Sequence, residues 1–207
     1  MKKVTILFFT ILFSIPSLSP AAPPEAIQSL TAKLESWDIE RAWSEAKELL
    51  KQEPGEPRLL ELASHIAFHQ GEYQESLNLI KSAMGRGEEN DPRMGFALFI
   101  EETIKVITPY KRVESPHFVI LLDEKQDGIL AHYITDALER TYQTMAERYG
   151  FQPKEKIRVE LFPDAKAFYL ASTLSARDIE VTGAVGLTKF NKLQLLSPRA
   201  LVYGYRW

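Results

Sequence analysis

The chain has no cysteine. Disulfides, thiolate zinc sites, cysteine nucleophiles and anchoring through a lipidated cysteine are therefore excluded. It also has no concentrated block of basic residues: 25 Lys and Arg are outnumbered by 28 Asp and Glu, for a net charge of −3. The electrostatic footprint of a nucleic-acid binder is missing, so no nucleic-acid partner is expected. Long apolar runs are absent as well. The longest, "VTILFFTILFSI" at 4–15, has twelve residues, well short of the roughly 20 that span a bilayer.

What is present begins with that short run. "MKK" precedes it as a positively charged n-region, and Ser19 and Ala21 place small residues where a signal peptidase reads them. Residues 1–21 are expected to be a secretory signal cleaved to leave Ala22 at the mature N-terminus. The protein would then be exported, periplasmic or secreted, with no stable membrane insertion after cleavage. The rest, in a chain of 207 residues that is 26% charged and 45% hydrophobic, has globular composition with room for one or two domains.

Residues 25–108 show helical periodicity broken at Glu53-Pro54-Gly55 and across Gly85–Pro92. The segment repeats itself. Trp37-Asp38-Ile39 and Gly71-Glu72-Tyr73 stand 34 residues apart, as do Ala42 and Ser76, Ala46 and Ile80, and Leu49 and Ala83. "GEYQESLNLIKSAM" and "WDIERAWSEAKELLKQEP" resemble the tetratricopeptide repeat, with Trp37 where that repeat usually has glycine. The resemblance covers about one and a half repeats. Such hairpins bury their apolar stripes by stacking on one another, and either form a groove for a peptide or serve as a spacer. "HIAFH" puts His65 and His69 four residues apart on one helix face, a spacing that can hold a divalent metal. Position 66 is Ile66, so HExxH is absent, and ordinary helix residues are the other reading of the pair.

Beyond Thr108–Pro116, read as a polar boundary, the pattern changes. His117–Leu122 is a continuous apolar run of strand length, as in a strand covered on both faces. A turn at Asp123–Asp127 leads to an amphipathic helix over Asp127–Gly150. Lys156–Phe162 alternates as a strand, with Ile157, Val159 and Leu161 on its apolar face. A helix over Asp164–Ser175 follows, then a hairpin or bulged edge strand in which Val185 and Leu187 answer Leu193 and Leu195. His117 and His132 read as structural residues.

This run, "SPHFVILLDEK", "ERYGF", "KIRVELFPDAKAF", "TGAVGLTKFNKLQLLSPRAL" and "YGYRW", resembles the N-terminal part of the peptidase MA-like domain over residues 114–207. That family is a gluzincin zinc-metallopeptidase family of exported bacterial proteins, often found beside tetratricopeptide repeats. The resemblance implies an α+β chain: helical-hairpin repeats, then an incomplete α/β subdomain that stops before the zinc helix. Zinc is expected only for a full-length relative, so no catalytic residue, metal ligand or cofactor is assigned here. It also implies that Gly183, Ala184, Val185, Gly186 and Leu187 form the edge strand that lines the substrate cleft and pairs with an extended peptide. A plain edge strand with two glycines is the alternative. Gly186 stands where aminopeptidases of the clan carry a glutamate, which favours an endopeptidase type. The implied partner is a peptide or protein. Without the zinc helix, the sheet near Val185, Leu187, Leu193 and Leu195 should lie uncovered or be patched by Tyr203–Trp207.

Overall fold

The computed structural model describes residues 24–85, 90–175, 177 and 181–200. The expected signal and the Tyr203–Trp207 tail lie outside the described residues. The fold is α+β: N-terminal helices packed as hairpins, followed by a mixed five-strand sheet with helices.

The first layer holds α1 (Pro24–Glu35), α2 (Ile39–Gln52), α3 (Pro57–Gln70), α4 (Tyr73–Met84) and α5 (Met94–Ile107). The 34-residue offset is visible in the backbone. Trp37 (φ 64°) and Gly71 (φ 89°) occupy the same left-handed position between paired helices. That conformation costs a side chain roughly 1–2 kcal/mol, and Trp37 sits there with its ring 5.1 Å from that of Phe190. Ile39, Ala42 and Ala46 of α2 correspond to Tyr73, Ser76 and Ile80 of α4, and all six are buried. Small residues let α3 and α4 approach closely. Ser64 Oγ donates to the Ser76 carbonyl at 2.7 Å and Ser76 Oγ to that of Ser64 at 2.8 Å.

The sheet comprises β1 (Tyr110–Glu114), β2 (Phe118–Asp123), β3 (Ile157–Phe162), β4 (Gly186–Lys189) and β5 (Lys192–Leu196), in the order β1-β2-β3-β5-β4. β2, β3 and β5 are parallel, whereas β1 and β4 pair antiparallel at the two edges. Between the strands lie α6 (Glu124–Asp127), a 3-10 turn (Gly128–Leu130), α7 (Ala131–Tyr149) and α8 (Ala165–Ala171).

Several local features differ from the sequence reading. The segment expected as a boundary, Thr108–Pro116, contains β1, so the sheet begins at Tyr110. Lys111 and Arg112 made it look like linker, but an edge strand tolerates charge on its exposed positions. The single helix expected over Asp127–Gly150 is broken at Gly128–Leu130, and the helix expected to Ser175 stops at Ala171. The hairpin register is Leu187 opposite Gln194 and Gly186 opposite Leu195. Leu187 therefore lies on the other sheet face from Leu193 and Leu195, against Phe162 and Phe168.

One sheet face is apolar. Phe118, Ile120, Leu122, Val159 and Leu161 are buried under Leu130, Ile134, Leu138 and Tyr142, each contributing roughly 1.5–3 kcal/mol. The cover thins toward β5, where Leu193 and Leu195 are only half-buried; Val185, exposed, lies opposite Leu196 on the other face with Leu187. His117 ties α7 to the start of β2. Its Nδ1 lies 2.6 Å from Glu139 Oε2 and its ring stacks on Tyr142 at 3.8 Å. Burial alone would raise the Glu139 pKa, but hydrogen bonds from His117 and Ser115 hold it below the usual value.

The other face meets the helices. Phe162, Phe168 and Ala171 form its apolar end, with α5 packed on α8. The alternation of β3 and β5 assigns Arg158, Glu160, Lys192 and Gln194 to a polar row. In the folded chain that row is turned inward against α3 and α4: Glu160 is fully buried, and Lys192 and Gln194 nearly so.

Candidate functional site

The β4–β5 hairpin is closed by Phe190-Asn191, whose φ values of 50° and 57° make a two-residue turn of the type that matches strand twist. Just before the strand, Leu196 N donates to Val185 O at 2.9 Å. Antiparallel pairs alternate between bonded and non-bonded residues. Val185, Leu187 and Lys189 thus face β5 with their backbone groups, while those of Gly186 and Thr188 point to the outer edge. Gly186 lets Leu195 pack close: a Cβ there would lie 2.8 Å from Leu195 Cδ2, so a side chain at 186 would push the end of that leucine aside.

Of the five residues read as a substrate strand, Gly186 and Leu187 lie in β4. Gly183 (φ 63°) is in a turn, and Ala184 and Val185 lead into the strand.

Beside β4, on its helix-facing side, a cleft of about 610 Å³ is bounded by α3, α5, the segment 169–175 and Lys189. Its volume falls in the range of small-ligand sites. Aromatic rings line its α3 and α5 side, and Ser172, Thr173 and Ser175 are among the residues opposite. Phe96 stacks on His65 with ring centroids 4.0 Å apart, and Phe68 and Phe99 are 5.2 Å apart. His65 and His69 therefore line a cleft, a placement that sequence reasoning missed. The available signal was the conjunction of "HIAFH" with Phe96 and Phe99, three residues apart on α5. Burial lowers the pKa of His65, and burial followed by the charges of Lys192 and Lys189 lowers that of His69 to about 3. Both rings are neutral at physiological pH. Among the described residues, no group of three or more His, Cys, Asp or Glu side chains could hold a metal ion.

Beneath the cleft a buried polar network joins helices to sheet. Glu160 Oε1 accepts from Tyr73 Oη at 2.6 Å and from Arg158 Nε at 2.7 Å, and Glu160 Oε2 accepts from Gln194 Nε2 at 2.9 Å. Burial would raise the Glu160 pKa, but Lys192 and Arg158 bring it below the ordinary value. Lys192 Nζ makes no direct bond to that carboxylate. It donates to Tyr73 Oη at 3.0 Å and lies over the Phe68 and Tyr73 rings. Burial outweighs the attraction of Glu160 and, with Arg158 and Lys189, brings the Lys192 pKa down to about 8.

The unfolded chain therefore holds a proton at Lys192 that the folded chain releases above about pH 8, and stability from this group rises with pH toward the unfolded value. Between pH 7 and 9.5 the wild type should gain about 2 kcal/mol relative to Lys192→Met. Urea melts of both proteins across that range check it, and parallel pH profiles would contradict it.

Comparison with family models, with curated proteins and with solved structures finds no match for this chain. No helix among the described residues is long and apolar enough to cross a membrane.

Proposed function

We propose that this chain holds an extended peptide or protein segment, as the substrate-binding part of an exported protein of the peptidase MA-like (gluzincin) kind, with tetratricopeptide-like hairpins packed behind it. The observation that carries this reading is β4: an edge strand whose Gly186 and Thr188 backbone groups point outward, with an aromatic cleft on the adjoining face. A strand edge supplies main-chain hydrogen bonds, and a neighbouring cleft takes side chains from one face of the added strand. The zinc chemistry of gluzincins needs an HExxH helix, and the 207 residues contain none. The function proposed for these residues is therefore binding without cleavage.

The test uses the full chain and a mixture of acetylated, amidated heptapeptides of alternating apolar and polar residues. Binding is read by calorimetry. The same peptides N-methylated at alternate residues should bind at least tenfold more weakly, because N-methylation removes the donors a strand must supply. Equal binding of both sets would overturn strand addition. Zinc-dependent cleavage of the peptides would overturn the non-catalytic reading.

A further inference from the structure

The cleft between α3, α5 and β4 has a chemical character that strand addition does not use. Its body is apolar and aromatic, with Leu98 and Tyr169 exposed among its lining residues. Its charges are unequal. Glu102, the carboxylate among the lining residues, accepts from Lys105 Nζ at 2.6 Å and is already met by a cation. Lys189 sits over the Phe190 ring at 5.1 Å. Among the described residues, no carboxylate lies within ion-pair distance of it. Lys192 lies buried behind it, and both ammonium groups act on the neutral ring of His69. Positive charge is thus concentrated at the β4 end of the cleft, beside His69, whereas Glu61 acts on His65 farther along α3; low-dielectric walls strengthen the attraction of Lys189 for an anion.

We propose that this cleft is a binding site for an apolar carboxylate: an aromatic or branched hydrocarbon body seated among Phe68, Phe96, Phe99 and Leu98, with its carboxylate on Lys189. A free organic acid and the C-terminal residue of a peptide share this chemistry. The site does not depend on pairing at the outer edge of β4.

The probes are 3-phenylpropanoate and its uncharged amide, and acetyl-Ala-Ala-Phe with a free or an amidated C-terminus. All are titrated into the full chain by calorimetry, with the His65 and His69 ring signals followed by NMR. Each acid should bind at least tenfold more tightly than its amide, and the preference should weaken with added salt. Lys189→Met should abolish the preference, whereas Lys189→Arg should retain it. Binding of phenylpropanoate alone identifies a small-acid site, and binding of the peptide acid extends it to peptide C-termini. The proposal is overturned if acid and amide bind alike, if Lys189→Met keeps the preference, or if the imidazole signals do not move.

Discussion

Replacing Glu160 with alanine is expected to destabilise the chain by about 3–5 kcal/mol, the range for breaking a buried ion pair from one side. Glu160 is fully buried and receives Tyr73, Arg158 and Gln194. Removing it strands the Arg158 guanidinium and the Lys192 ammonium at the junction of helices and sheet, with only Tyr73 Oη, the Phe68 carbonyl and two aromatic faces to receive Lys192. Gln194 keeps one acceptor, the Ala171 carbonyl. Glu160→Gln retains the volume and part of the hydrogen bonding, and should cost less than the alanine variant. Urea unfolding measures both. A cost below about 1 kcal/mol for Glu160→Ala would mean that the junction tolerates unpaired charge, as a wet surface does. Because α3 contributes both to this junction and to the cleft, the same variant should weaken binding of 3-phenylpropanoate.

Thr188→Pro is expected to reduce binding of the heptapeptide mixture more than tenfold while leaving the melting temperature within a few degrees. Proline removes a backbone donor and is tolerated on edge strands where that donor faces away from the sheet. The Thr188 amide is such a donor: Val185 bonds Leu196, and the alternation turns Thr188 outward. Leu187→Pro, one residue earlier, would remove a donor that faces β5 and should destabilise the hairpin. The pair separates loss of a ligand contact from loss of fold. If Thr188→Pro binds peptide as the wild type does, the outer edge of β4 is not the docking strand.

Most helices, and the order of elements along the chain from β2 onward, were legible because their signals are local. The repeated small residues at 42/76 and 46/80 mark the packed faces of α2 and α4. The continuous "FVILLD" marks a strand covered on both sides. β1 was missed because Tyr110–Glu114 carries two basic residues and only one aliphatic residue, and its pairing with β2 is a tertiary fact.

The burial of the row Arg158, Glu160, Lys192 and Gln194 was not legible in the sequence. Period-two alternation identifies two faces of a strand but does not say that the polar one is solvated. Here the polar face is buried too, against α3 and α4, and Glu160 on it is met by Tyr73, a residue 87 positions away. The edge strand was partly legible, in Gly186 and Leu187. The cleft was not: the aromatic faces of α3 and α5 were visible in the spacing, but that they meet each other, the segment 169–175 and Lys189 is a tertiary fact.

The most direct test is backbone amide exchange at Gly186 and Thr188 in the full chain, with and without the heptapeptide mixture. Both amides point to the outer edge, so exchange at these two positions should slow at least tenfold on peptide binding, while the inward-facing Leu187 amide changes little. Binding without protection at Gly186 and Thr188, or with protection confined to the opposite edge at β1, would contradict the account.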